Sequence, residues 1–328
     1  MHTFTTAFLL MLSAATSYAQ ANTQKRWTTP RTPDGHPDLQ GVWTNATLTP
    51  LQRPPELAGK EFFTPEEAAA FEKRAVAQGD ADKIEGPRGP KDLASRAYNQ
   101  AFNDRGTHIV KTRRTSLVVD PPDGRIPPFT PEAQILFDKT FKGFNDLPAD
   151  GPEDRLLTER CILFGGTGPP MLMEPYNNNY QIFQSAGTVA IMSEMNHDVR
   201  VIPLDARPHL PSSIPEWTGD PRGRWEGDTL VIDSVNLKFN TKSRFGVAYM
   251  NGMSDQNLRV AERFTRTDGD TILYHATVDD PTVYSKPWTV ELTMRKRSEP
   301  IYEYACHEGN YGMTGILAGA RAAEKAAR

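Results

Sequence analysis

Three short segments place side chains capable of proton transfer or charge clamping just beyond runs that read as strands. Loops held by a rigid scaffold are where function usually sits. In Glu194-Met195-Asn196-His197-Asp198, a histidine suited to proton transfer near neutral pH precedes a carboxylate that could orient it. On a strand these two neighbours would point to opposite faces, so they act together only if the segment turns. Asp205-Ala206-Arg207-Pro208-His209 offers a guanidinium for a substrate carboxylate, with His209 beside it. Cys306-His307-Glu308-Gly309-Asn310-Tyr311 offers a second histidine–carboxylate neighbour pair. Glu226 stands next to Trp225 at the Gly227-Asp228 turn; facing an apolar interior, its pKa would rise and suit it to general-acid work. Tyr284 and Trp288, after Asp279-Asp280-Pro281, would supply an aromatic wall. The candidate catalytic residues are therefore His197, Asp198, Glu226, His307 and Glu308. The candidate substrate-binding residues are Arg207, His209, Trp225, Tyr284 and Trp288. Each also has a structural reading: a surface turn at 194–198, an Asp205–Arg207 ion pair, an Asp228-capped turn, and aromatic packing around 284–288.

Named catalytic motifs are missing from the sequence: it has no G-x-S-x-G, no H-E-x-x-H, no P-loop and no C-x-x-C. Gly165-Gly166-Thr167-Gly168-Pro169-Pro170 is glycine-rich but lacks the lysine of a phosphate loop, and it reads as a turn. No nucleotide cofactor is implied. His197, Asp198, His209, His307 and Glu308 are of types that bind divalent metals, but none shows the spacing of a strong metal motif, so no metal site is assigned.

The elements that must position these residues are mostly short strands. Thr64-Pro65-Glu66-Glu67 predicts a capped helix to about Gln78, and Thr130-Pro131-Glu132 a second to about Phe141. Strands are expected at 39–44 and 115–120, then at short intervals: 180–184, 188–193, 199–204, 224–226, 229–233, 259–266, 271–278, 288–294 and 301–304. Hairpin turns fall at Ala186-Gly187, Gly227-Asp228 and Asp268-Gly269-Asp270. Residues 79–95 and 143–154 read as loops, and the Ala-rich stretch 315–328 as an exposed helix. The fold expected is mainly β: an antiparallel barrel or half-barrel over residues 160–314, with an N-terminal arm over 20–159 that carries two short helices.

The start of the chain predicts export. An apolar run from Ala7 to Ala15 is followed by Ser17-Tyr18-Ala19, an A-x-A-like cleavage site, so residues 1–19 read as a signal peptide. No later apolar stretch reaches membrane length, which predicts no stable membrane insertion. The 328 residues carry a formal net charge of −4 with both signs interspersed, which disfavours a nucleic-acid partner. Pro (27) and Gly (24) interrupt the chain too often for long helices. The two cysteines, Cys161 and Cys306, would meet an oxidising periplasmic or extracellular compartment and are expected to pair. Their bridge would close a loop of about 145 residues, worth about 4–5 kcal/mol on the chain-entropy model.

The segments PDLQGVWT (37–44), NDRGT (103–107), RRTSLVVDPPDGRIPPFTPEAQ (113–134), HDVRVIPLDARPH (197–209), GRWEGDTLVIDS (223–234), VDDPTVYSKPWTVEL (278–292) and YEYACHEGNYGM (302–313) resemble recurring strings of a widespread group of secreted bacterial proteins. The resemblance implies one cooperative unit across both halves of the chain and brings no established reaction. Gly41-Val42-Trp43 and Gly223-Arg224-Trp225 are similar to the Gly-x-Trp of lipocalin-type barrels, which implies a small apolar ligand. The function expected is an exported, cofactor-independent enzyme doing acid–base chemistry (elimination, isomerisation or hydrolysis) on a small, partly apolar molecule. The alternatives are a lipocalin-like binding protein with a deep apolar cavity, and a carbohydrate-active or carbohydrate-binding protein with Trp217, Trp225 or Trp288 along a groove.

Overall fold

The computed structural model describes residues 27–79, 104–140, 148–238 and 257–328. The expected signal peptide, most of the 79–95 loop and the start of the 143–154 linker lie outside the described residues. Ten strands form one antiparallel sheet: β1 Gly41–Thr44, β2 Val118–Asp120, β3 Asn179–Ser185, β4 Thr188–Ser193, β5 Val199–Pro203, β6 Asp220–Glu226, β7 Thr229–Val235, β8 Arg259–Arg266, β9 Thr271–Asp279 and β10 Trp288–Arg297. Among the described residues three α-helices accompany them, α1 Pro65–Gly79, α2 Pro131–Thr140 and α3 Tyr311–Ala326. The helix starts follow the sequence. Glu67 N–H donates to Thr64 Oγ1 (3.2 Å) while Thr64 N–H donates to Glu67 Oε2 (2.8 Å), a reciprocal capping box, and Ala133 N–H donates to Thr130 Oγ1 (3.2 Å).

The strand order β5-β4-β3-β1-β10-β9-β8-β7-β6 wraps the sheet into a nearly closed barrel. The N-terminal arm is part of the wall and does not merely pack around it. β1 pairs with both β3 and β10, while β2 lies along the same edge of β10 farther up. Between β5 and β6 the ladder is not continued. Gly223 lets the two strands approach there, since a Cβ at that position would lie 2.6 Å from Leu204 Cδ2 and 2.7 Å from Ile202 Cγ2. Arg222 laces the seam by donating from Nη2 to the Pro208 carbonyl (3.0 Å) and from Nε to the Arg207 carbonyl (3.2 Å).

The barrel interior is packed. Trp43, Trp288, Tyr180, Tyr274, Phe264 and Met171 are among its fully buried side chains, and Phe264 meets Tyr274 edge-on at 4.9 Å. An ion pair crosses this interior: Arg200 on β5 binds Glu262 on β8 through both carboxylate oxygens, with side-chain exposures of 1% and 0%. Tyr274 Oη donates to Glu262 Oε1 (2.8 Å) and accepts the Met171 N–H (2.8 Å). Burial works against the Arg200 charge, but Glu262 more than offsets it and the guanidinium pKa is raised. The glycine-rich segment is more than a surface turn. Gly165 to Leu172 is buried, and the inner face of the barrel binds its backbone. Tyr180 Oη donates to the Gly166 carbonyl (2.6 Å), Asn45 Nδ2 donates to the Met171 carbonyl (3.0 Å), and Gly166 N–H donates to Glu174 Oε1 (2.8 Å).

One expected strand does not form: residues 301–305 are irregular. The reason is a change of acceptor. Tyr302 N–H donates to Glu194 Oε1 (3.0 Å) and Tyr304 N–H to His197 Nε2 (2.7 Å), so two amides of this stretch are satisfied by side chains instead of a ladder. Residues 301–310 form a C-terminal arm that is tied covalently to the segment before β3, for Cys161 and Cys306 form a disulfide. The C-terminal helix starts earlier than expected, because Asn310 caps it by accepting the Met313 N–H (3.4 Å).

Candidate active site

Residues 194–198 connect β4 to β5 at one end of the barrel and turn tightly. Ser193 N–H donates to the Asp198 carbonyl (2.9 Å), closing the turn. Two consecutive non-glycine residues adopt the left-handed conformation, Asn196 at φ 63° and His197 at φ 54°. Such conformations are costly and persist only where surrounding contacts hold them. Here those contacts are specific. Asn196 Nδ2 donates to the Ile162 carbonyl (3.3 Å) and to Asp198 Oδ2 (3.2 Å), and Glu194 is buried between Asn179 Nδ2 and the Tyr302 N–H. The segment is therefore a turn and not a strand, and His197 and Asp198 are both half-buried in it.

Burial raises the Asp198 carboxyl above its ordinary value, while Asn196, the Thr167 hydroxyl and His197 act in the opposite sense. His197 has its Nε2 occupied by the Tyr304 N–H, which can only donate; the neutral ring therefore carries its proton on Nδ1. A half-buried aromatic group adjoins the imidazole. Tyr304 meets Phe164 edge-on at 5.5 Å and stacks with Tyr176 at 6.2 Å. Chemically, the arrangement offers a carboxyl of raised pKa that can exchange a proton. It also offers an imidazole N–H of fixed tautomer that can stabilise developing negative charge, and an apolar surface beside both.

The other candidates fall elsewhere. His307 and Glu308 are exposed on the turn after Cys306; the covalent anchor is beside them, but their side chains are not enclosed. Glu226 does not face the interior. Gly223 and Trp225 take the inward positions of β6, leaving Glu226 outside between Arg263 (2.9 Å) and Arg224, and these two hold its carboxyl below the ordinary value. Arg207 is exposed and closed onto Asp205, whose carboxyl it brings down to about 2, so the local ion pair holds and no clamp is presented. His209 lies at the seam between two aspartates, with Nδ1 2.9 Å from Asp220 Oδ2 and Nε2 3.5 Å from Asp233 Oδ2. Trp225 is half-buried and stacked on His36 at 5.0 Å. Tyr284 and Trp288 cannot form a ligand wall. Both are core residues, 2% and 0% exposed, in edge contact at 5.9 Å.

Sequence reasoning missed Thr167, Tyr304 and the Arg200–Glu262 pair. Glu262 carried a signal, since Val260, Glu262 and Phe264 share one strand face. Arg200 carried the opposite signal, for the apolar residues flanking it, Val199 and Val201, are the exposed ones. Thr167 and Tyr304 meet the turn from segments remote in sequence. Among the described residues, no cluster of three or more His, Cys, Asp or Glu side chains is arranged to hold a metal. Compared with protein-family models and with curated protein sequences, the chain matches none.

Proposed function

We propose that this chain is an exported enzyme that moves a proton on a small, partly apolar molecule without a redox cofactor, by elimination, isomerisation or hydrolysis. The observation that carries the reading is the 194–198 turn, in which the left-handed His197 carries an imidazole of fixed tautomer and the next residue, Asp198, a half-buried carboxyl. The tautomer divides the roles. His197 has no free ring lone pair in its neutral form, so Asp198 takes or gives the proton. The Nδ1–H of His197 stabilises the charge that develops on substrate oxygen. Phe164, Tyr176 and Tyr304 favour an apolar substrate portion. Export is supported by the disulfide and by the signal-like first nineteen residues. Among the described residues no helix is long and apolar enough to cross a membrane.

A carrier of lipocalin type would need interior space, whereas the inward residues here are packed around an ion pair and a buried chain segment. A carbohydrate groove could not use Trp288, which lies in the core. The test is turnover by the oxidised protein on a panel of small aryl and alkyl esters, lactones and β-hydroxy carbonyl compounds. For any substrate turned over, Asp198→Asn lowers kcat/KM about 10²–10⁴-fold with unchanged circular dichroism. Equal turnover by that variant would remove Asp198 from the mechanism.

A further inference from the structure

The arm that fixes His197 is irregular in its backbone. Residues 301–310 contain no helix or strand, and most of their side chains from Tyr302 to Gly309 are exposed. The arm reaches the barrel through Tyr302 N–H on Glu194, Tyr304 N–H on His197, and Asn310 Nδ2 donating to the Glu159 carbonyl (2.9 Å). The Cys161–Cys306 bond lies amid these attachments: Cys306 is two residues from Tyr304, and Cys161 two residues from Glu159. On the other side, Cys161 leads into Ile162, whose carbonyl receives Asn196, and Phe164, which packs on Tyr304. Both partners of the 194–198 turn therefore leave from the same disulfide.

We propose that the Cys161–Cys306 disulfide is a positioning device for His197, so that the site is assembled only after the two cysteines are oxidised. This rests on the reading of the 194–198 turn as the active site. Formation removes two electrons and two protons from the two thiols, passed to a disulfide oxidoreductase of the export compartment, and makes the Sγ–Sγ bond. A dithiol reverses it: one thiolate attacks a bridge sulfur, the second thiol resolves the mixed disulfide, and the reductant leaves as a cyclic disulfide. With the bond broken, residues 301–310 lose their covalent tie to Cys161 and become a connection between β10 and α3. The Tyr304 amide then leaves Nε2, and the ring returns to the Nε2–H form that free imidazoles prefer.

The readout is the ring-nitrogen spectrum of His197, recorded by long-range ¹H–¹⁵N correlation on the full chain, oxidised and after reduction with dithiothreitol. The oxidised protein should show Nδ1 protonated and Nε2 bare. Reduction should move the proton to Nε2 and speed hydrogen exchange at the Tyr304 amide at least about tenfold, while barrel amides such as Tyr274 stay protected. Tyr304→Pro, which deletes the donor and leaves the bridge, should give the reduced-type tautomer in oxidised protein even if reduction itself unfolds the chain. A tautomer unchanged by Tyr304→Pro, or by reduction with the barrel intact, would overturn the proposal. These spectra do not depend on turnover. An Asp198→Asn variant with full activity would sink the catalytic reading and leave the positioning result standing.

Discussion

At the residue scale, Asp198 has a cost that its proposed role explains. Its folded pKa lies above the unfolded value because burial penalises the charge. The native state then binds its proton more tightly than the unfolded state does. Stability from this group is complete below the unfolded pKa, and it falls as pH rises from there through the folded pKa. Above the unfolded pKa this carboxyl costs the native state stability, so Asp198→Asn should raise the melting temperature at pH 7 and leave it nearly unchanged at pH 3. Scanning calorimetry of both proteins at the two pH values checks this; a variant less stable at pH 7 would contradict it. A site that is functional and locally destabilising is a common compromise in enzymes. Residue types alone singled out His197 and Asp198 as candidates, because a histidine next to a carboxylate suits proton transfer where the chain turns. The tautomer was not legible, since it is set by an amide more than a hundred residues away. Glu226 failed for a local reason. Its strand phase puts Trp225 inward, and two arginines outside were free to pair with it.

At the element scale, the barrel is closed by side chains where the ladder stops. Ile202 and Leu204 on one side meet Gly223 on the other, with Arg222 and His209 bridging to carbonyl and carboxylate acceptors. Gly223→Ala places a methyl group within 2.6–2.7 Å of Leu204 and Ile202, so the seam must open or the side chains must leave their rotamers. Overpacking of this kind costs about 1–3 kcal/mol, measurable as a lower urea midpoint with little change in slope. An unchanged midpoint would mean that the seam is slack. Most strands were readable from alternation and turn residues; β8, expected at 259–266, spans Arg259–Arg266. β5 was readable as a strand but not in its phase. Val199 and Val201 look inward by hydropathy, yet Arg200 takes the interior because Glu262, itself bound by the Tyr274 hydroxyl, pairs with its two terminal nitrogens there. Residues 301–304 looked like a strand by composition. Pairing, which propensity cannot report, is what they lack.

At the scale of the whole molecule, sequence order and spatial order differ in one consequential way. β1, from the N-terminal arm, sits between β3 and β10, so the wall joins residues 41–44 to strands over a hundred residues later. Regular local patterns showed the strands; only the three-dimensional pairing shows that the arm completes the barrel. The disulfide links the lead-in to the buried 165–172 segment with the C-terminal arm, and both reach the 194–198 turn. The barrel is thus a frame whose interior is filled, and the proposed site lies at one end, where three segments meet. The most direct test is a ¹³C-detected titration of the Asp198 carboxyl in the oxidised protein. The titration should place its pKa above that of an ordinary aspartate, with the His197 ring carbons reporting the same transition. A carboxyl titrating at or below the ordinary aspartate value would mean that the turn holds a solvated, structural carboxylate, and the proposed site would be wrong.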